Sequence, residues 1–332
     1  MIIHLKKETG LAKATEIANQ NKAFLIEKDD KFVLISSSSQ KTIDAKYKEF
    51  VTENFVFEND MQLSSKQYQS TTREIQFGNV KIGGNTNNTI MIAGPCSVES
   101  ETQIQESSAL LKELNLTMLR GGCYKPRTSP YSFQGLGLDG LKLLAKMREQ
   151  HGLAVITEVR DATHVAEVIE YSDIIQIGAK SMYDQGILRA CAKTQKPVMI
   201  KRGFGSTLQE TVQCAEFVLS GGNDNVAICE RGLRTFETKT RFTLDLCGVA
   251  YLKEYTNLPV ILDPSHAMGH AYGVPDLTRA CMAMGVDGLI IEVHPDPTVA
   301  KSDASQQLNH AQFKELMQSL PIIGTAVGRN LV

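Results

Sequence analysis

Cys96, His266 and Glu292 are a thiol, an imidazole and a carboxylate, and each stands at or just past the end of a short apolar run. If those runs are strands of one closed sheet, the three groups project from one rim and together form a divalent-cation site. Singly each has a blander reading: a cysteine at a strand end is a small buried hydrophobe, and a histidine is hydrogen-bonded scaffold. Convergence of all three is what favours the metal. Asp303, in Lys301-Ser302-Asp303-Ala304, reads on spacing alone as a helix cap.

Cations form a second constellation. Arg120, Lys125, Arg127, Lys180, Lys201, Arg231 and, less centrally, Arg202 all fall at or just past the ends of apolar runs. The chain carries a net charge of only −2, so this placement concentrates positive charge at one mouth rather than over the surface. Arginine offers a planar fork to phosphate or carboxylate and lysine a point charge. The set exceeds what one phosphate needs, which predicts two anionic groups carried by two small substrates.

The elements that must position these residues follow from hydrophobic patterning. Apolar runs at 89–93, 117–119, 154–157, 173–177, 197–200, 226–229, 259–262 and 288–291 read as strands buried on both faces. Between them lie helical stripes such as Leu208, Val212, Ala215 and Leu219, or Ile104, Leu111 and Leu114. Strands alternating with helices in this way predict a (β/α)8 barrel of the TIM type over residues 73–332. The other arrangement considered, an open doubly wound sheet, lacks a G-x-G-x-x-G after its first strand. Ile75, Phe77, Val80 and Ile82 around Gly78-Asn79 predict a hairpin able to cover the barrel's open bottom. Residues 59–72 read as a polar linker. Residues 1–58 read as strand, helix, strand, strand, helix, strand, with helices at 11–18 and 43–50 and a last strand at 54–57, the order of a ferredoxin-like α+β unit.

Bulk properties exclude several classes. The near-neutral charge disfavours nucleic acid as a partner. No apolar run approaches the ~18 residues that span a bilayer, and the start of the sequence lacks the order of a signal peptide. The 7 cysteines are scattered, without a C-x-x-C pair, which predicts a reducing, cytoplasmic setting.

Three strings carry a resemblance: Ala-Gly-Pro-Cys-Ser-Val-Glu-Ser at 93–100, Arg-Gly-Gly-Cys-Tyr-Lys-Pro-Arg-Thr-Ser-Pro-Tyr-Ser-Phe-Gln-Gly at 120–135, and Asp-Pro-Ser-His at 263–266. The sequence from about residue 73 onward resembles the 3-deoxy-D-arabino-heptulosonate-7-phosphate (DAHP) synthase family, in its short bacterial and archaeal branch (type I beta). The resemblance implies a metal-dependent condensation of phosphoenolpyruvate with erythrose 4-phosphate, releasing phosphate at the first step of the shikimate pathway. It also implies a divalent ion, Mn2+ first with Fe2+, Zn2+ and Co2+ as alternatives, held by Cys96, His266, Glu292 and Asp303, which promotes Asp303 from cap to ligand. Arg120, Lys125, Lys201 and Arg231, with Ala179 and Lys180, would hold phosphoenolpyruvate. Arg127, Thr128 and Ser129 would hold the aldehyde's phosphate. Lys125 would deliver a proton to the forming hydroxyl, and Glu158 would position the water that adds.

Lys180 is a departure, since the family's usual residue there is arginine; lysine keeps the charge and loses the bidentate fork. The nearest rival chemistry is that of 3-deoxy-D-manno-octulosonate-8-phosphate synthase with arabinose 5-phosphate, against which the Lys-Pro-Arg-Thr-Ser-Pro-Tyr segment argues. A silent regulator that binds an aromatic amino acid would need a broken metal set. The resemblance further implies a homotetramer or homodimer, and tyrosine or phenylalanine as an effector of the front unit.

Overall fold

The computed structural model describes residues 1–125 and 129–332. Four front strands, β1 (Ile2–Lys6), β2 (Phe24–Glu27), β3 (Lys31–Ile35) and β4 (Val51–Phe55), form an antiparallel sheet in the order β2-β3-β1-β4. The helix Leu11–Gln20 buries Ala14, Ile17 and Ala18 against it. The expected second helix is instead a 3₁₀ segment, Ala45–Phe50, in which Tyr47 alone is buried. Six residues with a single apolar anchor present no stripe that could hold an α-helix against the sheet. The strand expected at 54–57 begins earlier, at Val51, because the 3₁₀ segment ends there.

The hairpin β5 (Ile75–Phe77) and β6 (Val80–Ile82) forms as expected. Eight parallel strands follow: β7 (Asn88–Gly94), β8 (Met118–Arg120), β9 (Ala154–Val159), β10 (Ile174–Ile177), β11 (Val198–Lys201), β12 (Val226–Glu230), β13 (Val260–Leu262) and β14 (Gly288–Glu292). Each pairs with the next, and β14 pairs with β7 to close the barrel. A last short strand, β15 (Asn330–Leu331), pairs with the start of β7. Among the described residues no helix is long and apolar enough to cross a membrane.

The strand period of two sorts side chains into two cores. Ile90, Ile92, Met118, Ile156, Ile174, Met199, Ile261 and Ile290 pack inside the barrel with Ile75, Phe77 and Ile82 of the hairpin, which plugs its bottom. The residues between them, such as Met91, Leu119, Val155, Ile175, Ile200, Ile228, Leu262 and Ile291, face the surrounding helices. Continuing the inward parity upward gives Cys96, Arg120, Glu158, Gln176, Lys201, Arg231, Asp263 and Glu292. One alternation that buries isoleucine at the bottom therefore delivers the polar groups to the C-terminal mouth, the functional end of such barrels.

Candidate active site and metal centre

Cys96, His266, Glu292 and Asp303 meet at that mouth, with one potential ligand atom of each lying within 4.8 Å of the others. Cys96 Sγ is 3.5 Å from Asp303 Oδ2. His266 Nε2 lies 3.4 Å from Glu292 Oε1 and 3.7 Å from Asp303 Oδ2. On its other side, His266 Nδ1 is 2.8 Å from Asp263 Oδ2, off the ideal hydrogen-bond line. That contact assigns the proton to Nδ1 and leaves the Nε2 lone pair facing the other three ligands, the usual arrangement of a metal-bound histidine. Burial lowers the His266 pKa against the pull of Asp263 and Glu292, keeping the ring neutral and able to ligate.

Asp303 does not cap the segment that follows it. It sits at φ 46°, ψ 38° with no side-chain capping bond, a left-handed conformation that aspartate tolerates better than most residues. Its carboxylate turns into the cluster, 3.1 Å from Arg241 Nη1. Burial would raise the Asp303 and Glu292 carboxyls, but the surrounding positive groups together outweigh it, with Arg241 and Lys125 facing Asp303, Arg120 and Lys125 facing Glu292, and His266 adding to both whenever it is protonated, and both stay below the ordinary range. Glu292 Oε1 is buried without a well-formed hydrogen bond. A thiol, a neutral imidazole and two ionised carboxylates, one with an unsatisfied buried oxygen, fit a first-row divalent cation.

A cavity of about 370 Å³ opens beside the cluster. Six of the residues singled out in the sequence, Lys125, Glu158, Ala179, Lys180, Lys201 and Arg231, line it. Lys125 Nζ lies 3.0 Å from the Cys96 carbonyl and 3.2 Å from its sulfur. Burial pulls the Lys125 pKa down, yet Cys96 and Glu158 outweigh it and hold the ammonium above the lysine norm. Glu158 accepts from Gln176 Nε2 at 3.0 Å, and it has room because position 178 is glycine: a Cβ there would lie 2.0 Å from Glu158 Oε1. Lys201 is paired with Asp263. Arg120 Nη2 is 3.1 Å from Glu292 Oε1, while Arg120 Nη1 and Arg231 Nη1 are buried without acceptors among the described residues. A buried donor left unmet costs about 1–3 kcal/mol, so these forks suit an anion.

Some expectations shift. Arg202 has the outward parity; it is buried between Glu230 and Asp245, 2.9 Å from each, and belongs to the barrel wall. Ser129 does not line the cavity; its hydroxyl accepts from Tyr131 N within its own turn. Arg127 and Thr128 lie outside the described residues. Sequence reasoning passed over Asp263 and Gln176, which the strand parity could have supplied. It also passed over Arg234 and Arg241, which line the cavity from the irregular segment after β12, and Gln306, which donates to Glu292 and accepts from Arg241. No period reaches those three.

Fold and site together define a (β/α)8 barrel with a candidate metal-binding group, Cys96, His266, Glu292 and Asp303, beside a cation-lined cavity at its mouth. The chain belongs to the DAHP synthetase I family, which residues 60–324 match. The phospho-2-dehydro-3-deoxyheptonate aldolase of Thermotoga maritima is 44% identical over 267 residues, 80% of this chain and 78% of that protein. The crystal structure of that Thermotoga maritima aldolase (DAHP synthase) superposes with a TM-score of 0.81 at 37% identity, covering 100% of this chain and 99% of its own. A truncated form of the Thermotoga enzyme gives 0.76 at 39% identity over 81% of this chain and 98% of its own. A 2-dehydro-3-deoxyphosphooctonate aldolase of Methylobacillus flagellatus is 34% identical over 251 residues, 69% of this chain and 88% of that protein.

Proposed function

We propose that the chain condenses phosphoenolpyruvate with erythrose 4-phosphate to DAHP and phosphate, in the cytoplasm. The observation that carries this is the meeting of Cys96, His266, Glu292 and Asp303 with Lys125, Lys201 and Arg231 around one cavity, in a chain of this family. Cys96, His266, Glu292 and Asp303 would hold a divalent ion, for which Mn2+ is our assignment. Such an ion supplies Lewis-acid polarisation of an aldehyde carbonyl.

Arg231, Lys201 and Lys180 orient the phosphate and carboxylate of phosphoenolpyruvate, with Arg120 and Ala179 completing the pocket. Arg127, Thr128 and Ser129 belong in this reading to the aldehyde's phosphate. Fixing both anions brings the enol carbon to attack distance from the carbonyl, which can lower the barrier by about 7 kcal/mol or more. Lys125, buried and protonated, delivers its proton to the oxygen that becomes the new hydroxyl. Glu158 orients the water that adds to the enol-ether carbon before phosphate leaves. Asp263 fixes the His266 tautomer.

The front unit, residues 1–58, we infer to be ferredoxin-like, on the support of its β2-β3-β1-β4 order, and to transmit control by tyrosine or phenylalanine within a homo-oligomer. Deleting residues 1–60 should leave turnover of the same order and abolish any response to tyrosine. The substrate test is phosphate release from phosphoenolpyruvate with erythrose 4-phosphate against arabinose 5-phosphate, before and after a chelator. Turnover with the four-carbon aldehyde alone, lost on chelation and restored by Mn2+, is expected. Preference for the pentose would overturn the reading.

A further inference from the structure

The cations at the mouth are held in different ways. Lys201 leans on Asp263, Arg120 on Glu292, and Lys125 on the Cys96 carbonyl and sulfur. Arg231 is only 5% exposed, and among the described residues it forms no ion pair with a carboxylate. Instead its guanidinium carbon lies 4.3 Å from the centre of the Phe242 ring. Phe242 in turn stacks on Phe204, centroids 5.6 Å apart and planes 25° from parallel. Arg234 sits over the Phe204 ring at 4.8 Å. Two aromatic faces thus stand next to two guanidinium groups that open on the cavity.

We propose that Phe242, backed by Phe204, is a positioning residue for Arg231, holding its guanidinium by a cation–π contact so that its N–H donors remain available to the phosphoenolpyruvate anion. This rests on the reading of Arg231 as an anion-binding residue. A ring face attracts the cation through its quadrupole without accepting a conventional hydrogen bond. A carboxylate in the same place would occupy the fork and cancel the charge that the substrate must meet.

The local backbone is built to keep the ring there. Phe242 N donates to Ala267 O at 2.8 Å, and Leu233 and Thr243 exchange backbone bonds of 2.8 and 2.9 Å around it. Gly232, next to Arg231, has φ +99°, and a Cβ at that position would lie 2.6 Å from Phe242 Cβ. Glycine is therefore required both for the turn and for the approach of the ring. Phe204 is tied to the same segment by Arg234 N donating to Phe204 O at 2.7 Å.

The test compares Phe242→Leu, Phe242→Tyr and Arg231→Lys in the full-length, metal-loaded enzyme. It uses steady-state kinetics in phosphoenolpyruvate, calorimetric phosphoenolpyruvate binding and metal content. We expect Phe242→Leu to raise the phosphoenolpyruvate KM and Kd by roughly tenfold, with kcat within about twofold and metal content unchanged. Phe242→Tyr, which keeps the ring face, should restore both constants. If Arg231→Lys weakens binding and Phe242→Leu does not, the positioning role is refuted while Arg231 keeps its assignment. If neither weakens it, the anion-binding reading of Arg231 itself fails. A loss shared equally by Phe242→Tyr, or one accompanied by loss of metal through the neighbouring Arg241–Asp303 pair, would also overturn the proposal.

Discussion

Burial pushes the Cys96 thiol up to about 12, so the side chain is protonated at neutral pH unless a cation lies against the sulfur, and binding one there must release the proton. Cys96→Ala should therefore lower metal affinity beyond the ~10–100-fold typical of changes behind the ligands, and activity with it. Elemental analysis and phosphate release check this; full metal content with full activity would exclude the ligand assignment. Lys180 lines the same cavity and is exposed. Lys180→Arg adds a planar fork where lysine offers a point charge, and should lower the phosphoenolpyruvate KM by several-fold, on the order of 1 kcal/mol. A KM that stays level or rises in steady-state assays would count against that.

Among the elements, one carboxylate gathers several donors of the linker after the front sheet. Glu216, on the helix Leu208–Ser220, accepts from the backbone N–H groups of Gln62, Leu63 and Ser64 at 2.8, 3.2 and 2.8 Å. Burial raises the Glu216 pKa, and the Ser64 hydroxyl and these backbone donors pull it back. Glu216→Ala would strand several donors at once and should cost about 3 kcal/mol, read by urea denaturation, with faster proteolysis within residues 59–72. A loss below ~0.5 kcal/mol would mean that water replaces the carboxylate without penalty. The barrel elements were legible because a buried parallel strand is a continuous apolar run of fixed length. The helix expected at 43–50 is instead a 3₁₀ segment, because a single buried anchor, Tyr47, provides no apolar stripe to hold α-helical turns against the sheet.

Over the whole molecule, the front sheet shares a core with the barrel: Ile2, Val33 and Ile35 pack in the same cluster as Leu63 and the helix-facing strand residues. His4 sits at that junction, with Nδ1 2.9 Å from Glu53 on the neighbouring strand and Nε2 3.0 Å from Tyr68 in the linker. Burial lowers its pKa below the ordinary 6.5, outweighing Glu53, with Lys31 acting in the same sense as burial and Asp30 against it. A depressed folded value means that this contribution to stability is complete above about pH 6.5 and is lost as pH falls through the folded value. Thermal unfolding should therefore show the front unit loosening between pH 7.5 and 5.5, and His4→Gln should flatten that dependence. An identical slope in the variant would assign the effect elsewhere.

The sequence by itself determined the barrel, the hairpin and the rim on which Cys96, His266, Glu292 and the strand-end cations stand. Those features follow from a period of two and from the need to bury both faces of each strand, which any correct reading of the chain contains. The inward parity even separates Lys201 from Arg202, although the charges look alike in the string. Tertiary structure alone decided that Asp303 turns toward Cys96, His266 and Glu292, that Arg241 and Gln306 brace it, and that Phe242 lies under Arg231. These residues come from loops, where no repeating pattern links a position to a direction. Their contacts exist only because a closed barrel brings the ends of distant strands to one mouth.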